Sequence, residues 1–448
     1  MRPLAWLASS AVLASIACGT ASTPAGSGGG GPPSVDAGVP PAVDAGTGGG
    51  GSVDAGPANA GGGADAGGSP VGPGDAGTGN PVDGGVIGVD DCKGLAPANL
   101  PRMVRYDGAY SSQGGFCGLP IGDGQGVIAL NVSSSSRQEF DFVAPDGSRR
   151  GLGGLDSGTF YPQAAGFIGH GGSSTDETVV VTAVDENGRP RASTNVQGSG
   201  TYTPDPNGGL LLAGHFGFPP DPIPANQLVI LFNADASIRY GPIPVATQGT
   251  IFGAGVDLLG RAIVIVDGTR TFGRGSIAAQ WFSARGAPLT GVFQVLSGFR
   301  PGHSTWFEMS PLIGGGLAMR RMDGGIELHT SEWLAVLPSG EARVEDAPDW
   351  LRARPNTKLV LVRGGRAYAL VPWAADLASC TQQAEVVSPS GRSCARFDFT
   401  VDAASCQTHP LRIGLDGTVM QMLPDSRESD ITVTARTCTL RFWPGALR

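Results

Sequence analysis

The sequence predicts an all-β fold, a β-propeller of about seven four-stranded blades. First, a glycine turn followed at once by an apolar strand recurs from residue 91 onward. Second, a hydrophobic strand that ends on a polar or glycine turn recurs with it, about every forty to fifty-five residues, as in propeller blades. Third, charged residues make up only 15% of the chain, and no segment shows a helical period. Two packed β-sandwiches are the alternative, which the regular spacing disfavours.

The second marker, the hydrophobic strand that ends on a turn, divides the sequence into blades. Its seven turns end the segments 142–147, 181–188, 231–236, 281–286, 334–340, 386–391 and 440–445. Because the sequence ends just after the seventh turn, the last blade is expected to lack its outer strand. An exposed edge strand invites aggregation, and ring closure removes it. Leu100 to Tyr106 has strand-like composition, so we predict that this N-terminal strand completes the last blade and closes the ring.

The first residues predict export. Arg2 is followed by an apolar stretch from Leu4 to Ile16, which is too short to span a bilayer and is typical of a signal peptide. The stretch runs into Ser15, Ile16, Ala17 and Cys18, which resembles a bacterial lipobox. The expectation is a signal peptide over residues 1–17 and a lipid on Cys18. Signal cleavage after Ala17 without lipidation is the alternative.

Residues 18–90 consist almost wholly of Gly, Ala, Pro, Asp, Ser, Thr and Val, with Asp-Ala-Gly repeated. Such a segment cannot bury a core. It is predicted to be a disordered tether with a root-mean-square span of roughly 50 Å. Calcium binding by its aspartates is the alternative, but their spacing varies. The folded domain is expected to occupy residues 91–448.

The charge of the sequence limits the classes of partner that the protein can bind. The chain carries a formal net charge of −9, and the tether holds seven Asp with no Lys or Arg, so that about 32 acids and 29 bases remain for the folded region. A nearly neutral domain lacks the basic stripe that nucleic-acid binding needs. The sequence contains no second hydrophobic span, so membrane association is expected through the acylated Cys18 alone.

Cysteine use agrees with export, since an even number of cysteines, six, remains besides Cys18. None of them forms a C-x-x-C pair, which disfavours a zinc site. Propeller topology places the second-to-third-strand loops and the blade-to-blade loops on one face. On that basis we predict three pairs, Cys380 with Cys406, Cys117 with Cys438, and Cys92 with Cys394. A scheme of sequence neighbours is the rival: Cys92 with Cys117, Cys380 with Cys394, and Cys406 with Cys438. A bridge between the two ends of the ring would add about 4 kcal/mol.

Catalytic signals are sparse. The five histidines are scattered without H-E-x-x-H spacing, at His170, His215, His303, His329 and His409. Loop or core histidines are the expectation, and convergence on a central channel is the alternative. Asp185 to Gly188 faintly resembles a calcium loop but coincides with a predicted hairpin turn. No cofactor or metal is predicted, and an enzymatic role is disfavoured.

The best binding candidates are aromatic. Trp281, Trp333 and Trp443 fall on third strands and are expected in the core. Trp306 follows Arg300 and His303 in what we interpret as a connecting loop between blades four and five. Exposed aromatics stack on sugars or anchor protein partners. The second candidate is the proline-rich loop from residue 216 to 226, with Phe216 and Phe218.

The lipobox-like Cys18, the Asp-Ala-Gly tether and the cysteine-containing repeats together resemble surface lipoproteins of myxobacterial type. The folded part is similar to bacterial β-propeller repeat proteins. The resemblance implies an outer-membrane or cell-surface location but no specific activity, since a fold does not fix a function. The sequence therefore predicts an envelope-tethered binding or scaffold module for a protein or glycan. A polysaccharide hydrolase or lyase and an inert spacer are the alternatives.

Overall fold

The structure is a computed structural model. It describes residues 92–95, 103–112, 121–123, 126–133, 138–152, 158–173, 178–217, 227–246, 249–298, 305–323, 329–362, 365–372, 381–400, 411–414, 416–424 and 436–447. The predicted signal peptide, Cys18 and the tether lie outside these residues. In the described part of the chain, no helix has the length and apolar character needed to cross a membrane.

The first strands in chain order are β1 (Val104–Ser112), β2 (Ile121–Asp123), β3 (Gly126–Ser133), β4 (Gln138–Val143), β5 (Arg149–Gly151), β6 (Gly158–Pro162), β7 (Phe167–Ser173), β8 (Thr178–Val184), β9 (Pro190–Pro204), β10 (Leu210–Gly217), β11 (Leu228–Phe232) and β12 (Ile238–Pro244). Strands β2 to β5 form blade 1, and β6 to β8 with the first half of β9 form blade 2. The second half of β9 continues without a break as the inner strand of blade 3, which β10 to β12 complete.

The remaining elements are β13 (Ile251–Val256), β14 (Ala262–Asp267), α1 (Thr269–Phe272), β15 (Ile277–Phe282), β16 (Phe293–Leu296), β17 (Thr305–Pro311), β18 (Leu317–Asp323), β19 (His329–Thr330), β20 (Leu334–Val336), β21 (Val344–Asp346), α2 (Asp349–Arg352), β22 (Thr357–Val362), β23 (Ala367–Pro372), β24 (Thr381–Val387), β25 (Ser393–Thr400), β26 (Arg412–Ile413), β27 (Val419–Pro424) and β28 (Arg436–Trp443). Blade 4 is β13 to β16, blade 5 is β17 to β21, and blade 6 is β22 to β25. Blade 7 is β26 to β28 plus β1. The described strands therefore form a seven-bladed β-propeller.

The blades pack face to face, which explains their apolar sequences. In β14, Val264 lies in the core shared with blade 3, whereas Ile263 and Ile265 lie in the core shared with blade 5. Because both faces of the strand are buried, it reads as a continuous apolar run rather than an alternating one. Neighbouring inner strands contact one another around the ring, as β13 does with β17 and β26 with β2.

Short hairpins connect the strands within each blade. In the turn at Asp185, the Gly188 amide donates to the Asp185 carbonyl at 3.0 Å, and Gly188 has φ of 73°. The Asp185 carboxylate accepts the amides of Asn187 and Arg189, both at 2.8 Å. Its oxygens therefore fasten the hairpin, as expected for a turn rather than a calcium loop.

The ring is closed by the N-terminal strand. Strand β1 pairs antiparallel with β28, from Val104 opposite Phe442 to Tyr110 opposite Arg436. The predicted closure is confirmed, with one correction to its bounds. Met103 precedes the strand and is 39% exposed, so pairing with β28 begins at Val104 and ends at Tyr110, and the last two residues of β1, Ser111 and Ser112, pair with β3 instead. Pro101, within the predicted strand, has no amide hydrogen to donate to a neighbouring strand, which is consistent with the later start.

A disulfide joins Cys92 to Cys394, across 302 residues of sequence. Because Cys394 lies in β25, the bridge fixes the segment that precedes β1 to the outer strand of blade 6. Nearby, Leu95 packs in the apolar core between blades 6 and 7. This is the pairing predicted for these two cysteines. Cys117, Cys380 and Cys406 lie outside the described residues, as does the side chain of Cys438, so the other two pairs stay predictions.

Candidate binding face

The two faces of the ring differ in their connections. The turn face carries the hairpins between first and second strands and between third and fourth strands, including 185–189, 205–209, 233–237, 257–261 and 312–316. The loop face is the opposite end of the strands, where the second strand leads to the third and one blade leads to the next, and its described connections include 268–276 and 347–356. Among these sets, the longer connections therefore lie on the loop face.

Polar groups of the turn face fasten neighbouring blades to each other. Several hydrogen bonds cross from one blade to the next, among them Asn207 Nδ2 to the Leu258 carbonyl (3.2 Å), the Gly316 amide to Asp257 Oδ2 (3.3 Å), and the Ile313 amide to Tyr368 Oη (2.7 Å). These groups form their hydrogen bonds within the protein. These hydrogen bonds of the turn face therefore fasten neighbouring blades to each other.

Arg239 is a highly connected side chain of this face. It donates to Asp205 Oδ2 at 2.8 Å, to the Gly208 carbonyl at 3.0 Å and to Asn233 Oδ1 at 2.9 Å. Burial raises the pKa of Asp205, while the hydrogen bond from the Asn207 amide and the charge of Arg239 act in the opposite direction. The network ties the first and last turns of blade 3 together.

The structure places Trp306 in a strand rather than in a connecting loop, which corrects the sequence interpretation. Strand β17 begins at Thr305, and Trp306 pairs with Met322 of β18. The side chain of Trp306 is half-buried, whereas Met322 is fully buried. Inner strands begin at the loop face, so Trp306 lies at the loop-face end of the inner wall of blade 5.

A buried ion pair lies one step deeper on the same face of β17. Glu308 follows Trp306 by two residues, which is the strand period. Its Oε2 accepts from Arg320 Nε at 2.7 Å, and Arg320 also donates to the carbonyls of Thr357 (2.7 Å) and Pro355. Burial raises the pKa of Glu308, and Arg320 opposes that rise.

Arg320 also lies over the ring of Trp333, with its guanidinium carbon 4.3 Å from the ring centroid. Arg320 and Trp333 are both buried. The cluster joins blade 5 to the first residues of blade 6 and fixes the strand that carries Trp306. It was not predicted from the sequence, although a glutamate and an arginine inside two apolar strands are a signal for a buried pair.

The other predicted binding residues divide into two groups. Phe216 lies in β10 with no exposed surface and packs edge-on against Tyr202 at 5.9 Å. It belongs to the core between blades 2 and 3, which corrects the expectation of a binding loop at that position. Phe218, Arg300 and His303 lie outside the described residues. Trp281 and Trp333 are buried as predicted, and Trp443 packs on Phe399 at 4.9 Å.

The histidines do not form a metal site in the described part of the chain, where no three His, Cys, Asp or Glu side chains come together to hold an ion. His170 is stacked between Tyr202, at 3.7 Å between ring centroids, and Tyr161, at 6.2 Å. His215 is exposed and bonds Gln227 at 2.8 Å. His303, His409 and the side chain of His329 lie outside the described residues.

His170 makes stability depend on pH. Burial lowers its pKa to about 4, whereas an unfolded histidine has a pKa of about 6.5. Between these values the unfolded chain binds a proton that the native chain does not, so stability falls as pH falls through this window. The expected loss is about 3 kcal/mol. Urea unfolding at several pH values measures it. His170→Phe keeps the stack and should flatten the pH slope, and an unchanged slope would contradict the assignment.

No protein-family model matches the chain, and no curated protein matches it. Among solved structures, the polysaccharide lyase Uly1 is 10% identical with a TM-score of 0.42, covering 71% of this chain and 88% of that one. The β-propeller domain of the Trilobed protease from Pyrococcus furiosus is 9% identical with a TM-score of 0.40, covering 70% and 89%. Chaetomium thermophilum Raptor is 11% identical with a TM-score of 0.35, covering 75% of this chain but 29% of Raptor. At these scores the likenesses carry no argument about function.

Proposed function

We propose that this chain is an exported lipoprotein whose propeller binds an envelope protein or glycan through its loop face, at Trp306. The observation that carries the proposal is the position of Trp306, a half-buried aromatic at the loop-face end of an inner strand. Aromatic side chains supply large contact area for sugars and for protein partners. Several polar groups of the turn face, by contrast, are used in hydrogen bonds between blades.

The packing of β17 on both of its faces favours ligand binding at Trp306. Phe307, on the opposite side of the strand from Trp306, packs in the core between blades 4 and 5. Glu308 is held by Arg320 on the side of blade 6. A strand fixed on both faces presents Trp306 with little conformational entropy left to lose, which favours affinity.

The location is part of the same proposal. A lipid on Cys18 anchors the chain to the outer membrane or cell surface, and the tether of residues 18–90 gives the ring a reach of roughly 50 Å from the lipid. The partners are accordingly the membrane, through the lipid, and an envelope protein or glycan within that radius.

A crosslinking pull-down from envelope extracts tests the proposal with the full chain as bait. Trp306→Ala should reduce capture of the partner at least tenfold while the chain still unfolds in a cooperative transition, with at most a modest fall in its midpoint. The matched control is Leu259→Ala, because Leu259 lies in a hairpin of the turn face and is 63% exposed. It should leave capture unchanged.

Equal capture by all three baits would contradict the role of Trp306. A parallel arm incubates the chain with envelope polysaccharide. If the chain binds the polysaccharide and Trp306→Ala abolishes this binding, the ligand is a glycan. If the chain shortens the polysaccharide, the protein is an enzyme rather than a binding module.

A further inference from the structure

Arg412 lies in β26, the inner strand of blade 7. It pairs with Met420, which lies in the apolar core between blades 7 and 1 together with Phe442 and Val127. The next residue, Ile413, packs on the opposite side, against the core shared with blade 6. Because side chains alternate along a strand, Arg412 belongs to the face of β26 directed at blade 1.

The guanidinium of Arg412 is not matched by a carboxylate in the described part of the chain. Its Nε is buried and has no hydrogen-bond partner there. Other buried or partly buried arginines do meet one: Arg320 lies 2.7 Å from Glu308, Arg239 lies 2.8 Å from Asp205, and Arg261 lies 2.6 Å from Asp257. Burial lowers the pKa of Arg412, but an arginine stays protonated in proteins.

The strand of blade 1 that faces this cation carries a glycine. Strand β2 of blade 1 contacts β26, and its residue opposite Val127 is Gly122. Val127 is part of the core that blade 1 shares with blade 7. The residue that the inner strand of blade 1 directs to this interface therefore has no side chain.

Arg412 is partly buried, and its buried Nε has no partner among the described residues, so an anion beside the guanidinium would offset the cost of removing this group from water. We propose that Arg412 binds an oxyanion, the carboxylate or phosphate group of a ligand, at the inner ends of blades 7 and 1. A guanidinium recognises either group through paired hydrogen bonds. The site lies on a different blade from Trp306 and does not depend on the function proposed for that residue.

Isothermal titration of the full chain tests this site with three probes: galacturonate, inorganic phosphate and neutral galactose. We expect binding of galacturonate or phosphate, a loss of at least tenfold in affinity in Arg412→Gln, and no binding of galactose. Arg285→Gln is the matched control, since Arg285 is located in a hairpin of blade 4, away from blades 7 and 1. The relative affinities for galacturonate and phosphate show whether the site prefers a carboxylate or a phosphate group.

Unfolding midpoints without ligand keep the proposal falsifiable. Because Arg412→Gln removes an unmatched charge, the midpoint should stay the same or rise. No binding of either anion to the wild-type chain, or equal binding by Arg412→Gln, would overturn the proposal. A fall in the midpoint with no anion effect would show that Arg412 has its partner within the chain.

Discussion

Replacing Cys92 or Cys394 with serine is expected to lower the free energy of unfolding by about 4 kcal/mol. The bridge joins positions 302 residues apart, so its loss releases a very long loop in the unfolded chain. It also frees the segment that leads into β1, the strand that closes the ring. Urea unfolding measures the change in midpoint and in slope.

The double variant supplies the control. If the two cysteines are partners, Cys92→Ser with Cys394→Ser should be no less stable than either single variant, because each one alone already breaks the bridge. Losses that add, or single variants as stable as the wild type, would contradict the bridge.

Removing Arg320 alone is expected to cost about 3–5 kcal/mol, because Arg320→Leu leaves the carboxylate of Glu308 buried without its partner. The pKa of Glu308, already raised by burial, should rise further. A raised carboxyl pKa makes the native state bind more protons, so this variant should gain stability as pH falls toward the pKa of the unfolded glutamate. Urea unfolding at neutral and acidic pH measures both effects.

The matched control replaces both partners. Glu308→Met with Arg320→Leu fills the site with apolar side chains and should recover most of the loss, since apolar replacement of a buried pair is often close to neutral. A double variant as unstable as the sum of the two single variants would show that the pair is not coupled.

The fold was largely predictable because its signals are local. Glycine turns such as the one at Gly188 need positive φ, and apolar runs such as Ile263 to Val266 need burial on both faces. Ring closure was also predictable, because the last blade lacks an outer strand and the N-terminal strand precedes the first blade. The continuity of β9 was not, because no turn residue separates its two halves and only pairing with β8 and β10 divides them.

The candidate site was less predictable because it depends on register. Trp306 was identified by type, but the register of β17 with β18 decides that it lies in a strand. The same register places Glu308 opposite Arg320. The burial of the Arg412 Nε depends on how blade 7 packs against blade 1, which no local pattern in the sequence encodes.

Hydroxyl-radical footprinting of the full chain, in intact envelopes and after purification, shows which face of the ring a partner covers. It compares oxidation of Trp306 on the loop face with oxidation of Leu259 on the turn face. If the loop face binds the partner, Trp306 should be protected in the envelope and react after purification, while Leu259 reacts equally in both states. Equal oxidation of Trp306 in the two states, or protection of Leu259 instead, would contradict binding through the loop face.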